Sequence, residues 1–356
     1  VWVIGGFGGY EPENSMSHVV LGLDIGGANL KAATPHPNGR AVSVPFALWR
    51  QPDRLPAALA ELIAQFDDVQ EFAVTMTGEL CDCFETSEAG VNAIITAVLN
   101  VSRSWPVRFW TTAGTFVNSN DARVRWNEVA AANWHALATF AGQYNPRGTC
   151  VMVDVGTTTT DVIPILDGQP WGVGRTDTER LRHRELVYTG VRRTPLIALL
   201  PPGETCAEFF ATTLDAHLLL GHIPEDPVDC DTADNRAATI LGAHSRIARM
   251  IGGDRATVSR EETLRLATLA ADRQFEQVRA AVELQTRRAV GLQRESLGVR
   301  RWAITSGSGE FLARRAVQAV RGNFDEVISL TDRLGPHLSE CAPAFAVATL
   351  AREKPL

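Results

Sequence analysis

An α/β fold built as two similar halves is what the sequence predicts, on three observations. Short apolar runs of strand length alternate with amphipathic stretches of helical length along most of the chain. One pattern occurs twice, 130 positions apart measured from Asp24 to Asp154: Leu21-Gly22-Leu23-Asp24-Ile25-Gly26-Gly27-Ala28-Asn29-Leu30-Lys31, then Val151-Met152-Val153-Asp154-Val155-Gly156-Thr157-Thr158-Thr159-Thr160-Asp161. Between the copies, Asn145, Pro146 and Gly148 break the periodicity and mark the best linker.

Taken in order, residues 19–24 read as a buried strand, followed by a Gly turn and a second strand at 30–34, with 41–49 continuing the sheet. Residues 55–66 carry the i, i+3, i+4 spacing of a helix, 71–77 form a strand, 88–101 a helix and 106–112 a strand. Residues 124–140, rich in Ala and Trp, predict one helix leading into the second half. There 150–166 repeat the strand, turn and strand. Residues 185–191 and 214–220 read as further strands, 236–251 and 260–288 as long helices, 300–305 as a strand, and 310–320 and 339–352 as helices. The expected division is an extension at 1–18, a lobe at 19–122, a connecting helix and linker at 123–148, and a second lobe at 149–356.

The chain has 356 residues, 45% of them hydrophobic and 21% charged, which is globular composition with enough length for a sizeable core. A net charge of −7 argues against a nucleic-acid-binding surface, whose electrostatics need clustered Lys and Arg. Small anions remain open, because backbone amides or a metal ion bind them without a basic surface. Six cysteines without a CxxC pair predict reduced thiols and a cytoplasmic setting. No apolar run suits a membrane span, and residues 1–15, which lack a basic start, read as a ragged extension before Met16 rather than a signal peptide.

In each copy of the repeat an apolar strand ends in Asp, a Gly follows two residues later, and a polar side chain stands seven beyond the Asp. Gly26, Gly27 and Gly156 permit tight turns whose successive N–H groups form an anion nest. Gly26, Gly27 and Asn29 in the first turn, with Gly156, Thr157, Thr158 and Thr159 in the second, are the candidate phosphate-binding residues. Asp24 and Asp154 are the candidate Mg²⁺ residues, since that ion keeps most of its water and takes few carboxylates alongside phosphate oxygens. A lone Asp-x-Gly is a common strand-ending turn; its recurrence at corresponding places favours the phosphate reading. A third piece, Ser306-Gly307-Ser308-Gly309, runs from a strand into a helix near Glu310 and offers a nucleoside or anion loop.

Together these pieces resemble the acetate kinase, sugar kinase, Hsp70 and actin superfamily. Within it the chain resembles the hydantoinase A/oxoprolinase branch, and more narrowly the tetrahydromethanopterin-linked C1-transfer pathway proteins. The most specific segments are Val74-Thr75-Met76-Thr77-Gly78-Glu79-Leu80 and Glu185-Leu186-Val187-Tyr188-Thr189-Gly190-Val191 with Arg193-Thr194-Pro195. The resemblance implies two ribonuclease-H-like lobes with a phosphate-binding cleft between them. It also implies a synthase of methanofuran-type cofactor biosynthesis, condensing an aminomethylfuran methyl diphosphate with the phenol of a glutamyl-tyramine or tyrosine-type acceptor. The implied partners are thus a diphosphate and a phenolic amine, with Mg²⁺ as cofactor and ATP as a further candidate.

For that chemistry, Lys31 is the candidate point charge on a phosphate oxygen, and Glu79, favoured over Asp161, the candidate base for the phenol proton. Tyr188 is the preferred aromatic contact ahead of Trp110, Trp126, Trp134 and Trp171, whose spacing also suits core packing. Arg193, with Arg175 and Arg192, is a candidate for a substrate carboxylate or phosphate. Cys81-Asp82-Cys83 reads as structural thiols, because two thiolates one residue apart are awkward ligands for one zinc. An ATP-dependent kinase or hydrolase and a nucleotide-gated actin-like module are the competing expectations.

Overall fold

The computed structural model describes residues 18–36, 39–292, 300–320 and 324–354, so the extension expected at the N-terminus lies, up to residue 17, outside the described residues. The first part of the chain forms β1 (Val19–Ile25), β2 (Asn29–Ala33), β3 (Ala41–Pro45), α1 (Leu55–Ile63), β4 (Val69–Met76), α2 (Ser87–Val101), β5 (Val107–Trp110) and β6 (Phe116–Val117). Then come α3 (Ser119–Val124), α4 (Trp126–Val129) and α5 (Asn133–Gly142). The second part forms β7 (Thr149–Val155), β8 (Thr160–Leu166), β9 (Gln169–Pro170), α6 (Asp177–His183), β10 (Leu186–Val187), α7 (Thr213–Leu219), α8 (Ile240–Arg249) and α9 (Arg260–Leu292). It closes with β11 (Arg301–Ser306), α10 (Glu310–Ala319), β12 (Glu326–Ser329), α11 (Leu330–Leu334), α12 (Pro336–Glu340) and α13 (Ala342–Glu353).

Two sheets follow one plan. The first runs β3-β2-β1-β4-β5-β6 and the second β10-β8-β7-β11-β12, with β9 beside β8. In both, the central strand forms an antiparallel hairpin on one side and a parallel pair on the other: β1 with β2 and β4, β7 with β8 and β11. Side chains alternate across each sheet. Leu21, Leu23 and Ile25 of β1 face α1 and α2, while Val20 faces Val347 and Ala348 of α13. Likewise Val151, Val153 and Val155 of β7 pack with α9 and α10, and Cys150 and Met152 pack with α5 and α13. The result is five layers, with α5 and α13 sandwiched between the sheets. Burial on both faces explains why these strands read as continuous apolar runs.

The middle layer sits unusually close to the first sheet. A side chain on Gly22 would begin 1.9 Å from the carbonyl oxygen of Ala344, a backbone atom with no freedom to retreat. Gly22→Ala is therefore expected to push α13 off β1 and to lower stability by about 3 kcal/mol, read as a loss of urea midpoint. An unchanged midpoint would contradict the packing.

A separate small core forms where α7, α8 and the start of α9 meet, through Leu214, Leu218, Ile247, Met250 and Leu266. Here the strand expected at 214–220 is corrected to helix α7. Thr212 and Asp215 form a capping box, with the Thr212 amide donating to Asp215 Oδ2 at 2.9 Å, and every residue of α7 is buried, which erases the amphipathic signature of a surface helix. The helix expected at 124–140 is broken at Ala131, whose φ of +46° ends α4 before α5 starts. The terminal helix likewise divides at Cys341, with Pro343 in the first turn of α13. The strand expected at 41–49 stops at Pro45, and Leu48–Arg50 is a 3₁₀ turn. Of 185–191 only Leu186–Val187 pairs, and the helix expected from 236 starts at Ile240, where Thr239 Oγ1 caps it. No helix among the described residues is long and apolar enough to cross a membrane.

Candidate functional site

The repeat is a repeated hairpin, register for register. Asp24 stands opposite Lys31 across β1 and β2, and Asp154 stands opposite Asp161 across β7 and β8. Each turn is closed by the same bond: Gly26 N–H to Asn29 O at 3.0 Å, and Gly156 N–H to Thr159 O at 2.9 Å. The loop after the parallel neighbour strand then caps the residue following each Asp. Thr77 and Gly78 donate to Ile25 O at 2.9 and 3.0 Å, and Gly309 donates to Val155 O at 2.8 Å. Gly307, at φ +91°, lies so close that a side chain there would start 2.7 Å from Asp154 Oδ1.

These contacts bring Asp24, Lys31, Asp154 and Asp161 into one electrostatic neighbourhood. Burial pushes the Asp24 carboxyl up to about 6; the Lys31 ammonium pulls it down and Asp161 pushes it further up. Asp154 is pushed to about 6 for the same first reason, with the Asp161 carboxylate adding to it and Ser306 and Lys31 opposing. Asp24 also raises Asp154, so the two hairpins feel each other's charge. Asp24 Oδ1 is buried without a hydrogen-bond partner, while Lys31 Nζ donates to Glu340 O at 2.8 Å. Among the described residues no three His, Cys, Asp or Glu side chains cluster as metal ligands.

Glu79 follows β4 and is 1% exposed, with Oε2 unpartnered. Burial drives its carboxyl to about 7; its own amide and that of Ala131 lower it, and the carboxylates of Asp177 and Asp24 raise it. Helix α2 fixes its backbone, because Gly90 lets the helix approach to where a side chain would begin 2.2 Å from Glu79 O. Asp161 is differently placed: its carboxylate is ion-paired with buried Arg180, which also bonds Asp177 at 2.9 Å and stacks 4.4 Å over the Trp134 ring. Of the two carboxyls considered as base, Glu79 is therefore the one not held by a cation.

The segment after β10 lies on the second hairpin. Val191 donates to Gly156 O at 3.0 Å, Arg192 and Arg193 donate to Thr157 O at 3.1 and 3.0 Å, and Gly190 presses on the Thr157–Thr158 peptide. Tyr188, in the same segment, is 67% exposed. The Ser306–Gly309 turn leads into α10, where the Glu310 carboxylate accepts from Thr305 Oγ1 at 2.7 Å and from Arg314 Nε at 3.1 Å, and also bonds Thr331. Sequence reasoning missed Arg180, Asp177, Ala131 and Trp49. Arg180 belongs to α6, a helix opened by a Thr176–Glu179 capping box and absent from the elements expected from the sequence.

A family model described as hydantoinase/oxoprolinase matches residues 71–354. The chain belongs to the hydantoinase/oxoprolinase family. Within that breadth, it is 31% identical over 348 residues to the (4-{4-[2-(gamma-L-glutamylamino)ethyl]phenoxymethyl}furan-2-yl)methanamine synthase of Methanocaldococcus jannaschii, covering 95% of this chain and 99% of that one. A synthase of the same name from Methanococcus vannielii is 31% identical over 224 residues, 61% of this chain and 96% of that one. Among solved structures, nucleotide-free acetone carboxylase superposes with a TM-score of 0.56 at 12% identity, over 93% of this chain and 70% of that one. At that identity the likeness is one of fold, an α/β architecture of two mixed sheets. This member of the hydantoinase/oxoprolinase family is an enzyme of the synthase class. The family match takes in Glu79, the second hairpin and the Ser306 turn; the Asp24 hairpin precedes it.

Proposed function

We propose that the protein joins an aminomethylfuran methyl diphosphate to the phenol oxygen of a tyramine-type or tyrosine-type acceptor, forming an aryl ether and releasing diphosphate. The observation that carries this reading is the pair of matched hairpins, with buried Asp24 and half-buried Asp154 at corresponding places, beside a buried carboxyl with a free oxygen. Two anion nests sharing one electrostatic neighbourhood suit a ligand with two phosphoryl groups. The similarity to two synthases whose names describe a phenoxymethylfuran amine supports the same ether.

In the reaction the bond from the furan methylene to the diphosphate oxygen breaks, the diphosphate keeps the electron pair, and a bond forms from the methylene to the phenol oxygen. Gly26 and Gly156, expected as phosphate donors, spend their amides on closing the turns, so the amides of Gly27 and Thr157 and the Lys31 ammonium hold the diphosphate as its charge grows. Glu79, ionised, accepts the phenol proton through Oε2. Asp161, neutralised by Arg180, keeps the floor of the second hairpin in place. Magnesium fits Asp24 and Asp154, because Asp24 Oδ1 is buried without a partner and two carboxylates suffice for an ion that retains water. When bound, it supplies positive charge against the leaving diphosphate.

The test is an incubation of purified protein with the furan diphosphate, Mg²⁺ and either tyramine or tyrosine. Diphosphate and an ether of the summed mass are expected in equal amounts. Folded protein that releases neither product with either acceptor, yet hydrolyses ATP, would overturn the reading in favour of an ATP-dependent enzyme of the same fold.

A further inference from the structure

One contact crosses the mouth between the hairpins, and both of its partners are tied to hairpin backbone. Arg193 donates its amide to Thr157 O at 3.0 Å on the second hairpin, and its guanidinium lies 4.6 Å from the ring centre of Trp49. Trp49 sits on the Leu48–Arg50 turn, which the Leu48 amide fastens to Gly27 O at 2.9 Å on the first hairpin. The guanidinium also reaches the neighbourhood of Cys81, whose thiol burial pushes up to about 11 and Arg193 pulls back down. Cys81 Sγ in turn lies 2.7 Å from where a side chain on Gly27 would begin.

Arg193 is only loosely committed. Its nearest carboxylate is Asp231 at 3.9 Å, itself 60% exposed, whereas neighbouring Arg192 is bound to Asp229 at 2.7 Å. A guanidinium on the face of a half-buried indole is weakly held, and a diphosphate seated in the hairpins offers it charge-assisted bonds of greater strength. The indole face that Arg193 covers is also a surface on which a flat phenol ring stacks.

We propose that Trp49 and Arg193 form an exchange latch that makes acceptor binding depend on diphosphate. Diphosphate in the hairpins draws the Arg193 guanidinium off Trp49, and the uncovered indole becomes the platform for the aromatic ring of the acceptor. The inference rests on the reading of the hairpins as a diphosphate site, and it adds two things to that reading: an order of addition, diphosphate partner first, and Trp49 as a specificity residue for an aromatic acceptor.

Calorimetric titration of tyramine, with and without saturating inorganic diphosphate and Mg²⁺, tests it. The wild-type protein should bind tyramine at least 5-fold more tightly with diphosphate present, a coupling in the usual allosteric range. Arg193→Met should bind tyramine with the same affinity in both conditions, near the tighter wild-type value. Trp49→Leu should weaken tyramine in both conditions and leave diphosphate affinity intact, while Trp49→Phe, which keeps a ring, should retain most of the coupling and guards against a folding defect in the Leu variant. Equal tyramine affinity with and without bound diphosphate in the wild type overturns the latch and leaves the diphosphate site standing. Failure of diphosphate itself to bind overturns the reading beneath it.

Discussion

Replacing Glu79 by Gln should lower kcat for ether formation by 10²–10⁴-fold, the usual effect of removing a positioned general base. The fold should survive, because Glu79 Oε2 has no hydrogen bond to lose and Gln has nearly the same shape. The pH profile separates this role from a structural one. With burial holding the carboxyl near 7, the fraction of ionised base grows as pH rises, so kcat/KM in the wild type should climb through about pH 7 and level off above it. The Gln variant should show no such limb. Diphosphate affinity should change little in the variant, since the anion nests are made of backbone amides elsewhere.

The second large effect concerns the paired aspartates. Asp24→Asn and Asp154→Asn should each reduce turnover by at least 10²-fold while making the metal-free protein more stable at pH 7.5. The folded-state values near 6 lie above the ordinary value of 3.8, so between these limits the folded protein binds more protons than the unfolded chain. Stability is therefore highest at the acid end, falls as pH rises from about 4 to 6, and stays reduced above that. A neutral amide removes the penalty of an ionised buried carboxylate, a gain of roughly 1–3 kcal/mol per site at pH 7.5 that should vanish near pH 4. Added Mg²⁺ should stabilise the wild type more than either variant. Equal loss of stability and activity would mean that these residues serve the fold alone.

The opposed effects of one substitution follow from a site that concentrates carboxylates: Asp24, Glu79, Asp154 and Asp161 are all buried enough to be pushed toward the neutral form. Such an arrangement is poorly stable without its ligand and is what a cation and a polyanion together relieve.

How much of this was legible in the sequence depends on how local the cause was. The hairpins were readable because strand, Asp, Gly turn and returning strand are consecutive, and because the second copy repeats the spacing. Glu79 was readable from its place after a strand and from the segment around it. Arg180 was not, because its burial comes from Asp161 and Trp134, which only the folded sheet and the middle helix bring to it. Trp49 was hidden within a strand predicted to continue past Pro45, where the chain instead turns and ties itself to Gly27. Helix α7 was misread because an all-buried short helix and a buried strand share one apolar pattern, and only the Thr212–Asp215 cap tells them apart. The middle layer was invisible for a similar reason: α13 meets β1 through Gly22, more than three hundred residues away in sequence, where Ala344 comes to rest.

The central claim is that both hairpins grip one diphosphate. Titration of inorganic diphosphate into the protein with Mg²⁺, followed by calorimetry, tests it most directly. One site per chain is expected, with Asp24→Asn alone and Asp154→Asn alone each weakening it by more than tenfold. Full-strength diphosphate binding in either single variant would contradict the account.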